Sequence, residues 1–306
     1  MRIEERENRS LRVAAPAKVN LYLEVGPPRP DGYHDIDSLF LTVSLFDELE
    51  LEATRDGEIV LEEDGISAGE TNLVYRAAAA LRRYATDSTI GARIRLRKRI
   101  PQGGGLGGGS SDAAATLVAL SRLWEVDIDP GRLAALAAEL GSDVPFFLHG
   151  GLAICRGRGE KVLPLADDTF ADAPPSIVLV LPGIHTPTPV VYRALDAEGE
   201  HGDVLTRSSP LDSLTSADSQ RRLTDGAVIF NRLESVTFRL FPELERIRQR
   251  MMAETFVRVW MTGSGSTLCG LAPSREAAEA ASLRLAAELG DEVRVVVVEG
   301  LPRNLA

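Results

Sequence analysis

Pro101-Gln102-Gly103-Gly104-Gly105-Leu106-Gly107-Gly108-Gly109-Ser110-Ser111-Asp112 is the most distinctive stretch of this chain. Six of the seven positions 103–109 are glycine, a run that is costly to order. Such a run makes sense where main chain must approach a ligand closely. Successive N–H groups then form a concave anion site, and a following helix adds its positive N-terminal end. An amphipathic helix over residues 111–124 follows directly. Ser110 and Ser111 suit the cap of that helix and can donate to a phosphate oxygen. Asp112 is of a type favoured in a first helical turn. The plain alternative is a flexible surface loop, and the tight fusion to a helix speaks against it.

Two familiar phosphate loops fit poorly. Gly103, Gly105 and Gly108 satisfy G-x-G-x-x-G, but a glycine run satisfies almost any glycine pattern. A dinucleotide-binding first strand is buried on both faces, whereas Ile94, Leu96 and Ile100 here alternate with Arg and Lys. A P-loop laid on Gly104–Gly109 puts Ser110 where the essential lysine belongs. The positive charge must come from elsewhere.

Nearer the N-terminus, Val19, Leu21, Leu23 and Val25 alternate with Lys18, Asn20, Tyr22 and Glu24, a strand period. Pro27, Pro28, Pro30 and Gly32 form a turn-rich loop. Strands are expected over 36–51 and 59–61, helices over 73–84 and 132–140, and strand and turn over 153–165. Residues 167–176, with Asp, Ala and two prolines, are the expected domain boundary, dividing the chain into 1–170 and 171–306. Beyond it come a strand at 177–181, polar loops with one surface helix at 196–225, and helices at 231–238 and 242–252. Strands at 257–261 and 268–272 flank a Gly-Ser turn, and a helix at 275–289 precedes a strand at 293–298. Strands and helices mix without strict βαβ alternation, so the class is α+β.

The 306 residues carry a formal charge of −11, with 44% apolar and 26% charged residues, an ordinary globular composition large enough for a real core. The acidic balance argues against a nucleic-acid partner. Arg93-Ile94-Arg95-Leu96-Arg97-Lys98-Arg99 reads as a solvated basic strand face. Cys155 and Cys269 have no zinc spacing, and their apolar surroundings point to buried, inert thiols. His149, His185 and His201 show no metal spacing, and no paired carboxylates announce a metal cage. With no apolar signal region and no membrane-length apolar run, a cytoplasmic protein is expected.

Three motifs, in order, resemble those of the GHMP small-molecule kinases: Ala15-Pro16-Ala17-Lys18-Val19-Asn20-Leu21, the glycine loop, and Met261-Thr262-Gly263-Ser264-Gly265-Ser266-Thr267. Arg29-Pro30-Asp31-Gly32-Tyr33-His34, Gly141-Ser142-Asp143-Val144-Pro145-Phe146-Phe147 and Pro187-Thr188-Pro189-Val190-Val191-Tyr192 resemble one branch, whose substrate is a cytidine diphosphate methylerythritol. The resemblance covers nearly the whole chain, least at the first ten residues and at 196–225. Arg232 stands where many members have an acidic residue, and Ser142 replaces a common alanine.

The resemblance implies an N-terminal ribosomal-S5-domain-2-like domain and a C-terminal ferredoxin-like domain, with the active site between them. It implies transfer of the γ-phosphoryl of ATP, with Mg2+, to a tertiary alcohol of a small molecule, by a monomer or homodimer. Asp143 is then the base and Lys18 its cationic partner; turn or helix cap is the bland alternative for Asp143, and a solvated strand lysine for Lys18. Pro101, Gly103, Gly104, Gly105, Leu106, Gly107, Gly108, Gly109, Ser110 and Ser111, with Asn72, would hold the nucleotide. Asn20, Tyr33, His34, Thr188, Tyr192, Gly263, Ser264 and Gly265 would hold the acceptor, His34 by the pyrimidine edge and the tyrosines by stacking. Family members acting on mevalonate-like or homoserine-like substrates, and a catalytically silent nucleotide binder, are the rivals. The Asp-Gly-Tyr-His segment argues against the first and the presence of both Lys18 and Asp143 against the second.

Overall fold

Two long strands organise the N-terminal half. β-branched and leucine residues alternate along both, so each buries one face over most of its length. The computed structural model describes residues 1–6, 9–165, 174–202, 209–212, 214 and 225–303. In it β2 (Ser10–Pro28) pairs antiparallel with β3 (His34–Thr54). The turn between them closes on Arg29, whose N–H donates to Tyr33 O, with Gly32 at φ 80°. β1 (Arg2–Arg6), from the charged start that gave no strand signal, pairs antiparallel with β2.

β3 is long enough to take two neighbours on its other edge. β6 (Gly91–Arg97) lies beside Glu48–Thr54, and β7 (Leu152–Gly157) beside Ile36–Leu41. β4 (Ile59–Glu63) with β5 (Ile66–Ser67), and β8 (Lys161–Pro164), extend the sheet. Helices α1 (Leu73–Arg82), α2 (Gly108–Leu123), α3 (Pro130–Leu140) and α4 (Val144–His149) cover one face. Val13, Leu49, Leu51 and Ile94 meet Ala77, Ala113, Leu117 and Leu120 there.

The second sheet is four-stranded and antiparallel, in the order β11 (Arg258–Met261), β12 (Leu268–Leu271), β9 (Ser176–Leu181) and β13 (Arg294–Glu299). Helix α5 (Thr188–Glu198), which the sequence reading did not separate as an element, starts with Pro189 in its first turn. α7 (Pro242–Met252) and α8 (Arg275–Leu289) follow the expected segments, whereas α6 (Glu234–Leu240) starts three residues later than expected because Phe230–Asn231 pairs as a strand. β10 (Phe230–Asn231) crosses back to pair with β2. A shared apolar cluster joins the sheets: Ala17, Val19, Leu21, Leu39 and Leu41 pack with Ile177, Leu179, Trp260 and Leu271. The fold is α+β, as expected. Residues 166–173, most of the expected boundary, and most of 203–224 lie outside the described residues.

One expectation needs correcting at the helix after the glycines. α2 starts at Gly108, not at 111, and its N-cap is Gly107, with no side-chain cap. Gly107 has φ 70°, which turns the chain straight into the helix, and a Cβ there would come within 2.9 Å of Phe147 and 3.1 Å of Lys18 Cγ. Ser110 and Ser111 therefore lie inside the first turn and do not cap it. Asp112 is buried in an ion pair instead.

Candidate active site

The site begins on β2. Lys18 and Asn20 point to one face, as the alternation predicts, but both are buried, Lys18 at 4% exposure. The glycine loop closes over them: the Lys18 N–H donates to Leu106 O at 2.9 Å. Lys18 Nζ donates to Asn20 Oδ1 at 2.7 Å, lies 3.5 Å from Asp143 Oδ2 and sits 4.6 Å from the centre of the Phe40 ring. A desolvated ammonium is held here by a carboxylate, an amide oxygen and an aromatic face. Asn20 Nδ2 donates to Ser38 Oγ at 3.0 Å, and that hydroxyl donates to Tyr22 O.

Asp143 occupies the N-cap position of α4, yet its side chain makes no capping bond. The carboxylate turns to Lys18 and remains partly open to the cleft, 28% exposed. Buried beside this pair, Cys155 has its thiol pushed well above the usual range, by burial and then by the Asp143 charge. Burial does the same to Cys269, so both thiols stay protonated, as the sequence reading expects.

The glycine loop is stitched to the third motif. A Cβ on Gly105, at φ 76°, would fall 2.2 Å from Thr262 O and 3.2 Å from Gly265 O. Only glycine lets these two backbones meet. Thr267 N donates to Gly104 O at 3.3 Å. Thr262 Oγ1 accepts from Asn20 N at 2.9 Å and lies 3.2 Å from Asn20 Oδ1. β11 and β12 form the hairpin that the Gly-Ser turn predicts. Within it the Gly265 N–H donates to Thr262 O at 3.1 Å, so that donor is already used inside the turn.

Two cavities meet at Gly105 and Gly107. One, about 360 Å³, is formed by Leu73, Lys98 and residues 100–110. Every loop residue named for the nucleotide lines it except Ser111, whose hydroxyl is buried without a partner. Asn72 does not line it; the Asn72 side chain caps α1 at Val74 N and donates to Glu63. Lys98, read as part of a solvated strand face, reaches this cavity instead. It is bound by Asp47 and by Asp112, 2.6 Å away. Burial above all, then the neighbouring Asp47 charge against the pull of Lys98, leaves the Asp112 carboxyl pushed up to about 7. Burial works to lower Lys98, and the two carboxylates more than offset it.

The other cavity, about 510 Å³, takes Lys18, Asn20, Tyr33, His34, Asp143, Thr188, Tyr192, Gly263 and Ser264 into one wall, leaving Gly265 just outside. Thr188 and Ser264 share a hydroxyl–hydroxyl bond of 2.8 Å across it. The Tyr192 ring lies 5.0 Å from that of His34, and burial first, then Asp143, pushes its phenol up, so it stays protonated. Tyr33 is half exposed, with the Arg158 guanidinium 4.8 Å over its ring. Arg158, Arg193 and Asp196 also line this cavity and carried no sequence motif. Arg232, the departure from the family pattern, forms a two-pronged pair with Glu24 at 2.7 and 2.8 Å, away from the cavity lining.

Residues 72–151 match the GHMP kinases N terminal domain and residues 217–291 the GHMP kinases C terminal domain. The chain is 40% identical over 273 residues to a 4-diphosphocytidyl-2-C-methyl-D-erythritol kinase of Pelotomaculum thermopropionicum, covering 88% of this chain and 92% of that protein. It is 45% identical over 271 residues to the Thermus thermophilus protein of the same name, covering 87% and 90%. A crystal structure of 4-(cytidine 5'-diphospho)-2C-methyl-D-erythritol kinase superposes with a TM-score of 0.76 at 41% identity, over 95% of this chain and 100% of that one. A homoserine kinase from Cytophaga hutchinsonii shares the fold, with a TM-score of 0.69 at 18% identity over 98% and 97%.

Proposed function

This chain belongs to the GHMP kinase family, among the 4-diphosphocytidyl-2-C-methyl-D-erythritol kinases, and we propose that Asp143 and Lys18 carry its reaction at the junction of the two cavities. It is a small-molecule kinase. It transfers the γ-phosphoryl of ATP to the 2-hydroxyl of 4-diphosphocytidyl-2-C-methyl-D-erythritol, giving the 2-phosphate and ADP, a step of non-mevalonate isoprenoid precursor biosynthesis. The observation that carries the site assignment is the meeting of a glycine-walled cavity with an acceptor cavity at Gly105 and Gly107, beside a buried Lys–Asp pair.

ATP lies with its phosphates on the glycine loop, where main-chain N–H groups and the start of α2 favour anions. The acceptor lies in the larger cavity, its cytidine end toward His34, Tyr33 and Tyr192 and its alcohol toward Asp143. Asp143 accepts the hydroxyl proton as the new O–P bond forms and the bond from the γ-phosphorus to the β,γ-bridging oxygen breaks, with ADP leaving. Lys18 lies 3.5 Å from Asp143 and offsets charge on the transferring group. Asn20 fixes the Lys18 ammonium, and Thr262 fixes Asn20.

ATP enters as its Mg2+ complex. The Ser110 hydroxyl, half-buried near Gly141 in the lining of the glycine loop, is an oxygen donor that suits a hard cation. When bound, the ion neutralises phosphate charge. In this reading residues 1–170 supply the ATP loop and the base, and 171–306 supply Thr188, Tyr192 and the 263–265 turn. The enzyme works in the cytoplasm as a monomer or homodimer, without nucleic acid.

The test is ADP release with ATP, Mg2+ and 4-diphosphocytidyl-2-C-methyl-D-erythritol. Wild type turns over, and Asp143→Asn loses roughly 10²–10⁴ in kcat. Equal rates for the two proteins would remove Asp143 as base. Turnover of a different alcohol only would overturn the substrate.

A further inference from the structure

His34 and Asp196, which line the acceptor cavity, converge with His201, which lies outside that lining. His34 lies on β3, Asp196 on α5, and His201 just beyond that helix. Their nitrogen and oxygen atoms all lie within 4.8 Å of one another, the one such group of three among the described residues. His34 Nδ1 is 2.9 Å from Gly26 O. A carbonyl only accepts, so Nδ1 carries the proton and the lone pair is on Nε2. That lone pair faces Asp196 Oδ1 at 3.5 Å. His201 Nε2 approaches the same oxygen at 2.9 Å. The His34 and His201 rings lie nearly parallel, 20° apart, with centres separated by 6.0 Å.

A lone pair aimed at a carboxylate oxygen calls for a cation between them. A proton on His34 is one such cation. A divalent metal is the other, and the arrangement favours it: two imidazoles and one carboxylate converge, and one ring is oriented by a carbonyl behind it, as metal-bound histidines are. Nitrogen-rich donors of this kind select zinc and its late first-row neighbours over Mg2+. We propose that His34, Asp196 and His201 form a zinc-class metal site in the wall of the acceptor cavity, and that a metal bound there competes with the acceptor. His34 Nε2 cannot serve the metal and the pyrimidine at once. The competition rests on the cytidine reading of His34; the metal site itself does not.

The test is calorimetric titration of the full chain with ZnCl2 alone, against His201→Ala and Asp196→Asn. Wild type binds one zinc per chain, and each variant loses affinity by at least about tenfold. Co2+ in place of zinc gives visible d–d bands in wild type that disappear in both variants. Without metal, His201→Ala keeps wild-type turnover. Zinc raises the acceptor KM of wild type without changing kcat, and leaves His201→Ala unaffected. No saturable zinc binding in wild type, or binding as tight as wild type's in both variants, overturns the site. Zinc binding without an effect on KM keeps the site and overturns the competition. Because binding is read by heat and by cobalt colour, failure of the kinase assay does not bear on it.

Discussion

Lys18 shows how much one side chain depends on its neighbours. An ammonium at this depth is stable only because Asn20, Asp143 and the Phe40 ring surround it. Lys18→Met keeps most of the stem volume and removes the charge. Its kcat falls by roughly 10²–10³ while the ATP KM changes little, because the glycine backbone holds the phosphates; steady-state kinetics in each substrate checks this. Asp112 is the opposite case, a carboxyl whose hold on its proton the fold strengthens. Its folded pKa, about 7, lies above the ordinary carboxyl value near 3.8. Between these two values the folded state binds the proton that the unfolded state has lost. Its contribution is therefore fully present below the lower value and is lost as pH rises through the upper one. Asp112→Asn, which imitates the protonated acid, gains on wild type between pH ~5 and ~8, by on the order of 1 kcal/mol or more. Urea unfolding at the two pH values measures it.

At the scale of elements, the glycine loop is held at both ends by one buried cluster. Asp47 accepts from the N–H groups of Arg99 and Ile100 before the loop, and Lys98 binds Asp112 after it. The glycines between are not equivalent. Gly105→Ala drives a methyl into Thr262 O, which is backbone and cannot step aside. The loop shifts, and kcat falls about 10²-fold, the penalty of an ångström of misplacement. A Cβ at Gly109 meets Leu73 at 3.6 Å, an ordinary contact, inside helix α2. Gly109→Ala raises stability by ~0.5–1 kcal/mol, read as a shift in the denaturation midpoint. The loop and the 262–267 turn were legible in the sequence because glycine marks backbone that other residues resist. What stayed hidden had no local signal. Lys98 follows the last residue of β6, so the strand alternation says nothing about its burial. The burial of Lys18 comes from the loop that closes over it, not from its own strand. Helix α5 begins at Thr188-Pro189, inside the segment that resembles a substrate motif, so its helix start is masked. Asp196 and His201 meet His34 only because α5 packs across the end of β3.

On the scale of the whole molecule, the site exists because two sheets are fastened together at β2. Trp260 Nε1, from the four-stranded sheet, donates to Asn20 O at 2.8 Å. Asn231 Nδ2 donates to Met261 O and Gly263 O, both at 2.8 Å, from the short strand that pairs with β2. The apolar cluster around Leu39, Leu179 and Trp260 belongs to both sheets at once. Disrupting one sheet exposes the other, so thermal unfolding is expected as a single transition. The polar fastening can be tested separately from the apolar one. Thr262→Val preserves shape and removes the oxygen that accepts from Asn20 N. A buried N–H left without a partner costs about 1–3 kcal/mol. Asn20 also positions the Lys18 ammonium, so the same change lowers kcat. Thr262→Ser, which restores the oxygen without the methyl, recovers turnover more fully than stability. Denaturation midpoints and kcat measured on the three proteins separate the two effects. If the sheets were joined by apolar packing alone, Val at 262 would keep both stability and rate. The hydrogen bond from Asn20 N to Thr262 predicts that it keeps neither.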